Sequence, residues 1–348
     1  MLETTPESRR SGRTDEPDER SDAATRGHTA GRPAAAARTH YRWRVTRSAL
    51  VLAALATAAV PGFDAVRARR TLSGADVDAA TVTDAEGVDW VVRAPVDAAA
   101  GAALEAEVTL LRGLTHYVSS GVLPFALPEV TGSAPLPEGG RAVVHRALPG
   151  NPLDVATLAP GPGLAADAGR AIAAVHELPS SVVEDATLPT YSSDEYRERR
   201  LAELDDAAAT GHVPPTLLRR WEKLLEDVSM WRFQPVVVHG DLGAEHVLVE
   251  GRRIVAVTGW AEARVADPAD DLAWLLAAAP QDAGDSILEA YQLRRTELSD
   301  PHLLDRALLV GELALARWLL HGVRNSLDDV VADAVDMLAE LDEQTREA

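Results

Sequence analysis

The stretch Pro235-Val-Val-Val-His239-Gly240-Asp241-Leu242-Gly243-Ala244-Glu245-His246-Val247-Leu248-Val249 concentrates the side chains of this protein best suited to chemistry. Its first valines read as a buried strand that delivers His239, Gly240 and Asp241 to a loop, and Val247, Leu248 and Val249 read as a second strand leaving it. Trp260, Glu262 and the run Asp267-Pro268-Ala269-Asp270-Asp271 follow closely. A carboxylate on such a loop can orient a hydroxyl and take its proton. An isolated Asp before a turn can equally cap its own backbone.

Scarcities narrow the chemistry. Lys223 is the only lysine, Asn151 and Asn325 are the only asparagines, and cysteine is absent. Disulfides, thiolate metal sites and cysteine nucleophiles are therefore excluded. The 54 acidic residues outnumber 34 basic ones, for a formal charge of −20. A field of that sign repels polyanions, which argues against nucleic acid and against anionic membrane surfaces as partners. Any phosphate must be held locally by Arg, backbone amides or a cation.

The elements that must position these groups can be read outward from the loop. Residues 1–40 carry no apolar period and read as a disordered tail. The apolar run Ala49 to Val60 follows Arg42, Arg44 and Arg47 in the order of a signal peptide. It is shorter than the about 20 apolar residues a bilayer span needs, it lies behind a long polar stretch, and it reads as a packed N-terminal helix ended by Pro61-Gly62. Ser73-Gly74 marks a turn, Val77 to Thr83 and Val88 to Arg93 read as strands around the hairpin turn Asp84 to Gly87, and Ala98 to Leu114 has helical spacing with Leu104, Val108 and Leu111 on one stripe. A further strand at Arg141 to His145 runs into Leu148-Pro149-Gly150-Asn151-Pro152, which reads as a connector. Helical patterns follow at about 164–178, 194–208, 215–230, 269–279, 283–296, 301–322 and 326–345, interrupted by short strands near 235–257. The expected class is α+β: a small lobe over 41–148 with an antiparallel sheet, then a larger, mainly helical lobe over 149–348.

The loop and its neighbours resemble the catalytic core of the aminoglycoside and macrolide phosphotransferases, relatives of the protein kinases. In that family His-Gly-Asp-Leu is followed by three residues and a metal-binding Asn, the next strand carries Asp-Trp, and Gly-Asp-Pro-x-x-Asp-Leu-Ala comes after. This chain matches the order through His239-Gly240-Asp241-Leu242, His246, Trp260 and Asp267-Pro268-Ala269-Asp270-Asp271-Leu272-Ala273. The likeness extends to Val144-His145-Arg146-Ala147-Leu148-Pro149-Gly150, to Ala173-Ala174-Val175-His176 and to Asp89-Trp90-Val91-Val92-Arg93, covering about residues 48–345. It is greatest with the macrolide branch, which accepts His at the Asn position and favours Arg in the third strand.

The resemblance implies a protein-kinase-like, two-lobed fold and transfer of the γ-phosphate of ATP or GTP to a hydroxyl of a small molecule such as a macrolide or aminoglycoside. Phosphoryl transfer of this kind needs alignment and positive charge more than covalent help. Asp241 becomes the orienting base and His239 a structural residue. Arg93 takes the place of the strand lysine on the nucleotide phosphates, with Glu107 as its partner (Glu105 being the neighbouring alternative), and Val144 and Arg146 at the connector join the nucleotide set. The family's Mg²⁺ is where this chain departs: His246 stands for the Asn, and Thr258-Gly259-Trp260 puts Gly259 where the metal-binding Asp belongs. Imidazole matches hard Mg²⁺ poorly and glycine offers no ligand; Glu245 or Glu262 could substitute only by a backbone shift. Asp267 and Asp271 are expected to cap and brace the helix after them. Two readings follow, an active phosphotransferase with a degraded metal site or a catalytically silent, kinase-like protein that binds nucleotide or a partner. The acidic balance suits a cationic amino-sugar acceptor, and the expected compartment is the cytoplasm.

Overall fold

Residues 46–71, 76–137, 139–296 and 300–347 are described in the computed structural model, so the tail over 1–40 and the turn at Ser73-Gly74 lie outside the described residues. Alternating residues build a five-stranded antiparallel sheet from β1 (Ala65–Thr71), β2 (Val77–Asp84), β3 (Asp89–Pro95), β4 (Val130–Pro135) and β5 (Arg141–Arg146), in the order β1-β2-β3-β5-β4. The β2–β3 turn is closed by the Asp84 carboxylate, which accepts from the backbone of Glu86 (3.1 Å) and Val88 (2.8 Å) and from Trp90 Nε1 (2.8 Å). The spacing predicts the three inner strands but not β1 and β4, which are the two edges. Edge strands bury little: β1 carries three arginines, and β4 holds a glycine and ends on a proline. Such residues blunt an edge against further pairing and hide the apolar alternation by which a strand is recognised.

Helix α1 (Ala49–Ala59) lies on the outer face of this sheet, where Leu52, Ala53 and Ala56 pack with Val82, Val92 and Val144. The signal-like run is thus a core element of the small lobe, and among the described residues no helix is long and apolar enough to cross a membrane. On the inner face, α2 (Ala98–Ser119) starts at Asp97, whose carboxylate accepts from Ala100 N at 2.9 Å. Its buried stripe includes Leu104, Val108 and Leu111, as the spacing predicts, and the helix runs one turn beyond the expected end.

The connector makes a short strand, β6 (Asn151–Pro152), so its Pro and Gly do not end pairing altogether: β6 adds to β8 (Val247–Glu250), which pairs with β9 (Arg253–Val257). Around these strands and the pair β7 (Val236–Val238) and β10 (Arg264–Ala266) stand α3 (Leu164–His176), α4 (Ser181–Glu184), α5 (Ser193–Ala209), α6 (Pro215–Glu226), α7 (Ala269–Ala278), α8 (Gln281–Arg294), α9 (Leu303–Asn325) and α10 (Asp328–Glu347). The residues from Thr46 onward form one compact unit. Under the loop between β7 and β8 the core contains Ile172, Val237, Trp260 and Leu272. A second cluster, with Trp221 and Trp231, joins α5, α6, α9 and α10.

Candidate active site

The loop between β7 and β8 is held from behind by α7. The carboxylate of Asp271, in the first turn of that helix, accepts from His239 N (2.7 Å) and Gly240 N (2.9 Å), and His176 Nε2 meets it at 3.2 Å. His176 is itself held through Nδ1 by the Tyr291 hydroxyl at 2.8 Å. The brace expected of Asp271 therefore acts on the loop rather than on the helix. Asp267 is not the N-cap expected of it: Pro268 takes that position without a side-chain cap bond, and the Asp267 carboxylate accepts from Ala269 N at 3.0 Å and from Arg306.

His239 is fully buried and donates from Nε2 to the Thr258 carbonyl (2.8 Å), which leaves Nδ1 to accept from Asp241 N (3.4 Å). Gly240 adopts φ +83°, and a side chain there would overlap the Glu262 carbonyl and the Arg264 guanidinium. With its backbone fixed this way, Asp241 keeps its carboxylate 66% exposed and lines a cavity of about 590 Å³ together with Ala103 of α2, Glu262 and Arg264.

Burial pushes the His239 imidazole below its ordinary value, outweighing the attraction of Asp271, so the ring is neutral near pH 7. His145 is lowered for the same first reason, burial. Because the unfolded chain takes up these protons more readily than the folded one, stability is full above the ordinary histidine pKa of 6.5 and falls as pH drops below it. Unfolding free energies from urea melts at pH 7.5 and 5.5 are expected to decline with a slope of up to about 1.4 kcal/mol per pH unit for each histidine. His239→Gln should flatten that slope, and an unchanged slope would refute the assignment.

The expected metal end is assembled differently from the ordinary pattern. His246 Nδ1 lies 3.3 Å from Thr258 Oγ1, and its Nε2 lies 3.7 Å from Asp241 Oδ2. Gly259 has φ +81°, and a Cβ built on it would stand 2.5 Å from the His246 ring. The imidazole thus fills the space a side chain at 259 would need. The Glu245 carboxylate folds back beside Gly243, and Glu262 is exposed on the turn Trp260–Glu262. Among the described residues no three His, Asp or Glu side chains are grouped to hold a metal. One carboxylate and one imidazole do not fit hard, octahedral Mg²⁺. Trp260 belongs to the core, packed on His239 with ring centroids 4.7 Å apart.

In the small lobe Arg93 Nη1 donates to Glu107 Oε1 at 2.7 Å, and Glu107 is buried, whereas Arg93 keeps a fifth of its side chain exposed. This is the pairing anticipated from sequence. Helix α2, which carries Glu107, also packs on the turn Trp260–Glu262 and so ties this pair to the loop. Val144 and Arg146 are placed otherwise. Val144 pairs with Val92 and Arg146 with Trp90, so both side chains take the sheet face opposite to Arg93. Val144 is buried under α1, and the Arg146 guanidinium covers the Trp90 ring at 5.2 Å. Neither side chain is aimed with Arg93. The residues that share its face are Val143, directly opposite it, and His145. Once β3 and β5 are known to pair, strand alternation identifies them.

Comparison with known proteins places this geometry. The sequence model described as "Phosphotransferase enzyme family" matches residues 67–306. The apoenzyme of macrolide 2'-phosphotransferase MphH from Brachybacterium faecium superposes with a TM-score of 0.68 and 25% identity, over 80% of this chain and 94% of that one. Wild-type aminoglycoside 2'-phosphotransferase-IIIa, solved as its GDP complex, gives a TM-score of 0.67 at 19% identity over 80% and 93% of the two chains, a likeness of fold. A curated protein of Bacillus subtilis (strain 168), YcbJ, is uncharacterized and 33% identical over 79 residues, which span 22% of this chain and 26% of that relative.

Proposed function

This chain belongs to the phosphotransferase enzyme family, and on that premise we propose that it moves the γ-phosphoryl group of ATP or GTP to a hydroxyl of a small molecule in the cytoplasm, where both nucleotides are supplied. The observation that carries the reading is the exposed Asp241 carboxylate, facing a cavity from a loop whose backbone is fixed by Asp271 and His239. The acceptor oxygen attacks the γ-phosphorus as the bridging bond to the β-phosphate breaks; the nucleoside diphosphate leaves with the electron pair, and the hydroxyl proton passes to Asp241. Arg93 uses one donor on Glu107 and offers its remaining donors to phosphate oxygens, while its exposure gives it access to them. A macrolide or aminoglycoside hydroxyl is the acceptor the fold analogy suggests. The test is nucleoside diphosphate release from ATP and GTP across a panel of hydroxylated compounds, with Mg²⁺ and Mn²⁺ compared. Release that depends on acceptor supports the reading; absence of nucleotide binding removes it.

One observation favours the second reading, a catalytically silent protein that binds nucleotide or a partner: no carboxylate stands at 259, and His246 occupies its space. Restoring the acid alone is expected to fail, because Gly259→Asp strains a left-handed backbone and drives a side chain into the imidazole. That variant should lose about 1–3 kcal/mol of stability without gaining turnover. Gly259→Asp combined with His246→Asn clears the space and supplies an ordinary oxygen pair, so the double variant should gain Mg²⁺-dependent turnover over either single change. Steady-state rates and urea midpoints of the three variants check this, and equal gains from the single Gly259→Asp change would contradict it.

A further inference from the structure

The cavity that Asp241 faces is walled on the side of α5 and α9 by guanidinium groups. Arg199 and Arg200 of α5 and Arg317 of α9 line it, joined by Arg264 of β10, with Glu203 and Asp270 among them and Asp241 and Glu262 at the loop. The groups form a chain leading away from the loop. Arg264 Nη2 donates to the Gly240 carbonyl (3.3 Å) and to Asp270 (2.7 Å). Arg200 Nη2 donates to the other oxygen of Asp270 (2.9 Å), and its Nη1 to Glu203 (2.8 Å). Asp270, 4% exposed, accepts further from the Tyr196 hydroxyl and is held at about 2: burial opposes its ionisation, but Arg200 and Arg264 outweigh burial.

Arg317 stands beyond this chain and, among the described residues, makes no salt bridge, although Asp270 and Glu203 attract it from a distance. Its one hydrogen bond is from Nη2 to the Val310 carbonyl at 3.4 Å, and among the described residues it has no carboxylate partner. Its Nη1 is buried without an acceptor, as is Nε of Arg200, a side chain only 5% exposed. Burial, and then the charge of Arg200, disfavour the Arg317 cation. Four guanidinium groups and four carboxylates line the cavity as a whole, but Arg317 and Nε of Arg200 keep donor capacity that no acceptor meets and that a ligand anion could satisfy. Asp241 and Glu262 carry the opposite charge at the reacting end.

We propose, resting on the phosphoryl-transfer reading, that the acceptor is a hydroxylated acid, its hydroxyl at Asp241 and its carboxylate or phosphate group on Arg317 with Arg200 beside it. This is the reverse of the cationic amino sugar suggested by the total charge. The two do not conflict physically, since a charge of −20 spread over the surface screens within about 10 Å, whereas a walled cavity is governed by its own lining.

The test titrates the full-length protein calorimetrically with glucuronate, glucose 6-phosphate, glucose and glucosamine, with ATP affinity measured in parallel. At least one of the two acids is expected to bind about tenfold or more tightly than glucose and glucosamine, the gain of a charge-assisted hydrogen bond. Whichever acid prevails tells carboxylate from phosphate. Arg317→Met should erase the preference while leaving glucose and ATP affinities unchanged, and Arg317→Lys should recover part of it. Equal binding of all four ligands, no binding of any, or a preference for glucosamine overturns the proposal, and so does a folded Arg317→Met that keeps the preference. Should Arg317→Met not fold, the ranking of the four ligands on the wild type decides. Acid preference without ATP binding would support the anionic pocket and count against phosphoryl transfer, so the two readings fail separately.

Discussion

Asp241→Asn is expected to lower turnover by about 10²–10⁴, the range that a positioned proton acceptor contributes, with nucleotide affinity and melting temperature unchanged. The carboxylate is 66% exposed and the loop is held through the backbone, so the amide replaces it without disturbing the hydrogen bonds that shape the loop. Only the acceptor's proton loses its destination. Stopped-assay rates and nucleotide titration on the same preparation separate chemistry from binding. If the Asn variant kept more than a tenth of wild-type turnover, Asp241 would not be the base.

Arg306→Met carries the largest expected cost to stability, about 3–5 kcal/mol in a urea melt. Arg306 and Asp267 are both wholly buried, joined by Nε to Oδ2 at 2.7 Å and Nη2 to Oδ1 at 3.1 Å. The same guanidinium donates to the Met230 carbonyl (2.8 Å) and to Asp300 (2.6 Å), which leaves Asp267 the one fully buried anion dependent on it. Burial already pushes the Asp267 carboxyl above its ordinary value despite Arg306. Without the cation it rises further, and a folded state that holds the proton more tightly than the unfolded one loses stability as pH rises. The defect should therefore be larger at pH 7 than at pH 5. Asp267→Leu added to Arg306→Met should recover much of the loss, since an apolar pair of similar volume avoids the stranded charge. A single-variant loss under about 1 kcal/mol would rank the pair with ordinary surface contacts. Because Asp267 precedes α7 and Asp271 lies in its first turn, the loss should also loosen the His239-Gly240 anchor.

The order of charged and apolar residues determined a good deal without any coordinates. Local spacing was enough for β2, β3, β5 and the long helices, since each is defined by contacts between near neighbours and by one buried face. The Arg93–Glu107 pair was legible because a strand followed directly by a helix brings few alternatives within reach. The edge strands escaped because they bury no continuous face.

What tertiary structure alone decided concerns groups that meet from distant parts of the chain. The face taken by Val144 and Arg146 depends on the pairing of β5 with β3, and a shift of one residue would have reversed it. The brace on the loop comes from Asp271, and its imidazole partner from α3, far away in sequence. At Gly259 the chain shows a missing acid, but only packing shows that His246 has taken the room. The arginines that wall the cavity come from α5, β10 and α9, and they are scattered among many more acidic residues in the sequence. Composition sums charge over the whole molecule, whereas a binding site is set by which few side chains are desolvated side by side, and that is fixed only when the helices pack.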